Sequence, residues 1–360
     1  MASYATKLAE AFSKETVKIY YQQSVINMIA NRNYEGEIKD ATSKLNVLTF
    51  SKVKMKNYTG VPMSPDSISE SNAQIVTDQQ KAYYFKIPSL AKFQSYIKNP
   101  ESTILEQSGN ELQEVIDNYG LSLYNKTAAG NRSGTNYTTG TVTVDSSGNV
   151  TGSGTTFTAS MVGRGFQASG QTSWYRVKTF TSTTVIVIED DLDDVASQYT
   201  GGAVAGGTAY TIEAATPVAL TASTIYAKFL DVKQRLDAAK IPKKDRFIVV
   251  SSKIEAMLLQ STQLVTPVDA SYADVVIDGV IGKVAGMIVV SSEQVAGDNT
   301  NGFHVIAAHK SWLTFAEGFV ETGIEPLFGD FGQAYKGLTV FGGKVIDERR
   351  KAGAELFCTA

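Results

Sequence analysis

Cysteine is almost absent. Cys358 is the only one in 360 residues, so no internal disulfide framework exists and a reducing compartment suits the chain. It reads as a small structural residue. Histidine is nearly as scarce: His304 and His309, the only two, stand five apart on an apparent strand, face opposite sides and cannot share a metal ion. The most apolar stretch, Val275–Val290, is broken by Asp278 and Lys283, which excludes a membrane span. The opening MASYATKLAEAF has no apolar run of signal-peptide length, so folding in a cytoplasm is expected. No phosphate loop or GxSxG elbow occurs, and Gly279–Gly286 lacks the order of a dinucleotide fingerprint. A net charge of −3 argues against wholesale nucleic-acid binding. No residue is nominated as catalytic, cofactor-binding or metal-ligating, and the chain reads as a builder rather than an enzyme.

What is present is a long helical stretch, Asn99–Lys126. Asn99 suits an N-cap and Pro100 the first helical position. Leu105, Leu112, Val115, Ile116, Tyr119 and Leu123 recur at three- and four-residue spacing and paint one apolar stripe. Glu106, Glu111, Glu114 and Asp117 make the remaining surface acidic. Ser108-Gly109 predicts a bend. A helix of ~40 Å needs something to lie along, and this one is read as a spine.

Upstream, Ala2–Ala30 reads as one or two amphipathic helices that dock on the body or reach to another subunit. From Asn33 to Leu90 the period changes to two. Lys52, Lys54 and Lys56 share one face of an expected strand. A turn-rich loop beginning at Tyr58 follows, then a second expected strand, Ala73–Ile87. This two-stranded arm has too little apolar content to stand alone in water. The first 98 residues carry 13 Lys or Arg against 8 Asp or Glu, a basic excess in an acidic chain.

From Gly130 to about Ala215 Thr, Ser and Gly dominate. Strands are predicted at Thr141–Val144, Met161–Ala168, Trp174–Phe180, Thr183–Ile188 and Thr208–Ile212, which makes an all-β sandwich or barrel. Glu189–Asp194 is rich enough in carboxylates for calcium but lacks the spacing of an EF-hand loop, so a solvated acidic turn is the simpler reading. Beyond Leu220 the pattern is α+β. A helix is predicted over Thr221–Lys240 with Ile225, Phe229, Val232 and Leu236 inward, a buried strand at Arg246–Val250, and a helix Lys253–Gln260 capped by Ser251-Ser252. Two strands around a Gly turn are expected in Gly279–Ser291, further strands at Phe303–Phe315 and Gly337–Glu348, and Leu356-Phe357 to close the sheet.

Three segments together carry a resemblance. They are the arm Val47–Pro88 with Thr77-Asp78-Gln79-Gln80-Lys81-Ala82-Tyr83-Tyr84-Phe85, leading into the spine; the unit Asp245–Gln260 followed by Asp278–Ser292; and the ending from Phe328-Gly329-Asp330-Phe331-Gly332 to Ile346. In this order they resemble the major capsid proteins of tailed bacteriophages, the Hong Kong ninety-seven fold. The resemblance implies an α+β capsid fold with an N-terminal arm (1–32), an extended loop (33–98), a peripheral domain with the spine (99–128 and 303–360) and an axial domain (217–302). An all-β surface domain would be inserted at 129–216, and its Thr151–Phe157, Val162–Phe166 and Trp174–Val177 runs are similar to β-modules of phage structural proteins. It further implies self-assembly into pentamers and hexamers of an icosahedral or prolate head, built in a bacterial cytoplasm and found in the virion. Expected partners are a separate scaffolding protein, a portal, a decoration protein and packaged double-stranded DNA held without sequence-specific contact. No membrane and no cofactor are implied. Lys52, Lys54, Lys56 and Tyr58 of the arm, and Glu106, Glu111, Glu114 and Asp117 of the spine, are the candidate subunit-interface residues. Alternative readings are an encapsulin-like nanocompartment shell, or a tail-fibre or surface adhesin binding glycan through Trp174 and Tyr175.

Overall fold

The computed structural model describes residues 24–33, 44–50, 55–57, 65, 70–88, 100–192, 198–261, 282–328 and 331–360. They fall into two compact units, one built on Arg32–Ile116 and Phe315–Lys344, the other on Ser24–Asn31, Asp117–Thr314 and Val345–Ala360.

In the first unit, Lys44–Phe50 pairs antiparallel with Glu70–Val76. A separate three-stranded sheet places Gly332–Lys344 between Thr314–Pro326 and Gln79–Pro88. The single strand expected over Ala73–Ile87 is therefore two, divided at Thr77-Asp78 and belonging to different sheets. Gly342 packs against the division: its missing Cβ would lie 2.3 Å from the Val76 carbonyl oxygen. The lysine alternation does not make the expected strand at Met55–Asn57, which has no regular structure, and Lys52 and Lys54 lie outside the described residues.

The spine is a helix of 23 residues, Pro100–Ser122, tightening into a 3-10 turn at Leu123–Lys126. At 1.5 Å per residue the α-helical part is about 35 Å long. It runs unbroken through Ser108-Gly109, where the Ser108 hydroxyl donates to the Ile104 carbonyl at 2.9 Å. Such a bond inside the helix gives the serine a local partner without breaking the ladder.

The second unit holds two eight-stranded sheets. One, formed between Thr135 and Thr216, encloses Val142, Val150, Phe157, Phe166, Ile186 and Ile212. Its strands include Thr141–Val144, Gly165–Ala168, Tyr175–Ser182, Val185–Asp190 and Tyr210–Thr216, with Asn149–Ser153 and Val204–Thr208 in addition to those the pattern predicts.

The other sheet centres on Arg246–Val250, Gly302–His309 and Gly353–Thr359. The helix Ile225–Ala238 lays Ile225, Phe229, Val232 and Leu236 into this core, each fully buried, as their spacing predicts. At the start of the helix Ser252–Leu259 the capping differs from expectation. Ser251 makes no side-chain cap, and the Glu293 carboxylate accepts from the Ser252 N–H at 2.9 Å. Lys283–Val284 and Met287–Ser291 pair around Ala285-Gly286, both at positive φ (52° and 80°), as a two-residue hairpin requires. The strand expected over Phe303–Phe315 ends at His309, and a new one begins at Thr314. The strand expected to reach Glu348 ends at Lys344 and gives way to a 3-10 segment, Asp347–Ala352. Cys358 is buried in the last strand, and burial pushes its thiol up to about 12.

Gly120 exposes how tightly the spine is seated in this unit. A Cβ there would lie 2.1 Å from Ile26 Cδ1, and Ile26 is fully buried and has nowhere to go. Gly120→Ala should gain about 1 kcal/mol of helix propensity and lose about 1–3 kcal/mol to overpacking. A net fall in the urea midpoint is expected; a rise would show that the contact yields freely.

Candidate functional site

The spine carries the first candidate surface. At 100° per residue, Glu106, Glu111 and Glu114 span roughly 140° of the helix, and all three are exposed. Asp117 belongs on the same side by spacing but is only 4% exposed. Its carboxylate accepts from the Ser24 hydroxyl at 2.9 Å and from the N–H groups of Val25 and Ile26 at 2.8 and 3.1 Å. It thus satisfies the free donors at the start of the short helix Ile26–Ile29, so the expectation of an exposed Asp117 is corrected. Of the arm residues, Lys56 is described and exposed, while Lys52, Lys54 and Tyr58 lie outside the described residues. Beside this acidic surface, and sharing Glu111 with it, a groove of about 370 Å³ runs between Gln107, Ser108, Glu111, Leu112 and Val115 of the spine and Lys81, Ala82, Tyr83 and Thr339 of the three-stranded sheet.

The second feature is a buried ionic cluster joining the two sheets of the second unit. Glu355, on the C-terminal strand, is fully buried. Its Oε1 receives Arg164 at 2.8 Å and stands 2.7 Å from His304 Nδ1, and its Oε2 lies 3.5 Å from Arg132 Nε. The His304 ring is stacked between Tyr124 and Phe357, and the Arg164 guanidinium lies over Phe357. Arg132 also donates to the carbonyls of Asn125, Thr127 and Gly163. Burial opposes ionisation of Glu355, but Arg164, His304 and Arg132 outweigh it and hold its carboxyl at about 2.

Glu213 shows the reverse outcome in the same cluster. Burial dominates, Arg132 and the Gly130 N–H only partly offset it, and the carboxyl rises to about 7. Its Oε2 accepts from Gly130 N at 2.7 Å, but its Oε1 is buried without a hydrogen bond, 3.8 Å from Arg132 Nε. The next residue, Ala214, is buried at φ 46°, a conformation uncommon for any residue but glycine. That irregularity sets Glu213, Ala214 and Ala215 in succession as buried residues where a regular strand would alternate.

The acidic run is neither a calcium loop nor a solvated turn where it is described. Glu189 pairs with Arg176 and Lys178, while Asp191 takes Arg350 at 2.7 Å and the Ala129 N–H at 2.7 Å. Among the described residues no group of three metal-ligating side chains comes together. Tyr175 is buried, and the Trp174 ring lies against Gly130, where a Cβ would sit 2.9 Å from it. His309 bonds to Ser311 and is separate from His304. None of the cluster was nominated from sequence. The available signal was charge inside apolar strand patterns, as in Ala354-Glu355-Leu356-Phe357 and Ile212-Glu213-Ala214-Ala215.

No protein-family model matches the chain, and no curated protein matches it in sequence. Solved structures do match in fold. A Mycobacterium phage Che8 chain aligns with a TM-score of 0.62 at 15% identity, over 99% of this chain and 97% of the other. The capsid structure of cyanophage P-SCSP1u gives 0.60 at 13% identity, over 100% and 95%. The mature capsid of bacteriophage PhiM1 gives 0.57 at 13% identity, over 97% and 91%. The chain has an α+β phage-capsid fold with additional β-sheet.

The cluster yields a pH prediction. Between pH 4.5 and about 7 the folded protein holds a proton on Glu213 that the unfolded chain has released. Stability from this residue is therefore greatest on the acid side and declines as pH rises through that window. Glu213→Gln should remove the decline. Relative to the parent, the variant should gain up to roughly 3 kcal/mol between pH 5 and 8, read as the difference in urea midpoints. A gap that does not change with pH would show that Glu213 is ionised throughout.

Proposed function

We propose that this chain is the major capsid protein of a tailed bacteriophage, copies of which close into an icosahedral or prolate head around double-stranded DNA. The observation that carries this reading is the end-to-end likeness to phage chains, two of them from capsid structures, over at least 97% of this chain in the three alignments described. On this reading the fold is the Hong Kong ninety-seven type, with arm (1–32), extended loop (33–98), peripheral domain (99–128 and 303–360), inserted β-domain (129–216) and axial domain (217–302). Pentamers and hexamers are its assembly units. Scaffolding, portal and decoration proteins are its partners, and the role is structural rather than catalytic. The adhesin alternative loses support because Tyr175 is buried and Trp174 is packed on Gly130.

The arm's lysines, Lys52, Lys54 and Lys56, are assigned to the exposed spine acids Glu106, Glu111 and Glu114 of an adjacent copy. Each exposed pair is worth only ~0.2–1 kcal/mol, but a shell repeats the contact at every subunit. Such pairs weaken with salt, so they also tie assembly to ionic strength.

Reversing all three lysines to Glu should abolish shells in negative-stain micrographs while the subunit keeps its circular dichroism spectrum. Reversing Glu106, Glu111 and Glu114 to Lys in the same chain should restore them. Shells that form unchanged from the lysine variant would remove the arm–spine pairing; wild-type protein that stays monomeric with scaffold supplied would remove the capsid reading.

A further inference from the structure

Asn301-Gly302 is the only Asn-Gly pair in the chain. It closes the turn between two paired strands, Gly297–Asp298 and Gly302–His309, with Asp298 opposite Gly302 and Gly297 opposite Phe303. Asn301 is exposed to water, whereas Gly302 is buried. Gly302 sits at φ 104°, a conformation that suits glycine. A Cβ on it would lie 2.6 Å from the Phe357 ring and 2.8 Å from Pro217, so any side chain there would have to displace them. The packing therefore demands glycine directly after an exposed asparagine.

Asp298 holds that asparagine. Its carboxylate accepts from the Thr300 and Asn301 N–H groups at 2.6 and 2.7 Å, and from Asn301 Nδ2 at 2.8 Å. The bonds from Asn301, then that from Thr300, favour the charged form and hold the carboxyl below its usual range. The Thr/Ser/Gly-rich sheet contains the same clasp. There the Asp145 carboxylate accepts from the Asn149 N–H at 2.8 Å and from Asn149 Nδ2 at 2.6 Å. Asn149 is exposed too, but the residue after it is the fully buried Val150. A branched side chain crowds its own backbone nitrogen, and glycine leaves it open.

We propose that Asn301-Gly302 is a self-modifying site, restrained by Asp298, at which the chain converts its own asparagine to isoaspartate or aspartate. The Gly302 nitrogen gives up its proton to solvent and attacks Asn301 Cγ. The new N–C bond closes a five-membered succinimide ring. The Cγ–Nδ2 bond breaks, and Nδ2 takes a proton from water and leaves as ammonia. Water then adds to either ring carbonyl and opens the ring. No oxidant, cofactor or partner is consumed. Nucleophile and carbonyl are neighbours in one chain, so the attack has the advantage of an intramolecular reaction, but the side chain must first leave Asp298. The product carries a carboxylate oxygen in place of Nδ2, beside the Asp298 carboxylate, and like charges at this range repel. Opening to isoaspartate also lengthens the main chain by one carbon within the turn, which works against the pairing of Gly297 with Phe303. The reaction is independent of the assembly proposed above. It acts as a clock that loosens this hairpin as the protein ages.

The test holds folded wild-type protein in neutral buffer for weeks and follows digests by mass spectrometry, with isoaspartate assigned by electron-transfer fragmentation. Conversion at Asn301 is expected, with Asn149 converted at least tenfold less. Asp298→Ala should raise the rate at Asn301 at least fivefold with an unchanged circular dichroism spectrum. Asp298→Asn, which keeps one acceptor oxygen, should fall between the two. Asn301→Asp, which installs one of the products, should melt below fresh wild type. No conversion at Asn301 in the folded protein, when the same chain in urea converts there, overturns the site. Equal or slower conversion in both Asp298 variants overturns the restraint. Conversion at Asn149 as fast as at Asn301 overturns the role given to Gly302, and an Asn301→Asp chain that melts with wild type overturns the loosening.

Discussion

A single carboxylate sets the terms for the second unit. Glu355 is fully buried yet ionised, which is tolerable only because Arg164, His304 and Arg132 surround it. Bringing a carboxylate into a protein interior costs several kcal/mol, and removing one partner of a buried pair typically costs 3–5 kcal/mol. The partners come from distant places: Arg132 before the Thr/Ser/Gly-rich sheet, Arg164 within it, His304 and Glu355 from two paired strands of the other sheet. The β-rich segment is therefore built into this unit and does not hang from it on a tether.

Each sheet of this unit has its own apolar core, and the ionic cluster lies between them. Apolar contacts are non-directional, whereas an arginine fork accepts only a few geometries. The cluster supplies orientation where hydrophobic burial alone would permit sliding. Asp191 and Arg350 extend the same logic, tying the Glu189–Leu192 segment to the 3-10 turn before the last strand. The arrangement explains why so much charge sits where little of it meets solvent.

The elements with strong period were legible. The spine was, and so was the helix Ile225–Ala238, because burial on one face of a regular helix writes its period into the residues. The Asp117 contact was not, because a carboxylate capping another segment has the same spacing as one facing water. The cluster was hidden for a related reason: Glu213 and Glu355 sit in apolar runs, and nothing local identifies arginines 81 and 191 residues away as partners. The strand break at Thr77-Asp78 lies at the close approach of Gly342, a contact between Thr77 and a residue 265 positions further on. The fold class follows from local pattern, whereas these sites follow from long-range pairing.

The first unit stands in contrast to the second. Met55, Val76, Tyr84, Leu105, Ile324, Phe328 and Phe331 are all exposed there, seven of the twelve exposed large apolar residues described. On the capsid reading proposed above, exposed apolar groups of this kind are surface for other copies to cover. Among its described residues, exposed acids stand along the spine at Glu106, Glu111 and Glu114, and exposed lysines at Lys56, Lys81 and Lys86. Charge of that kind adds little affinity but selects orientation during encounter, and the apolar groups then supply the free energy of contact. Weak contacts that are satisfied only together make partial assemblies reversible, while each closing contact adds its stabilisation without a new loss of translational freedom.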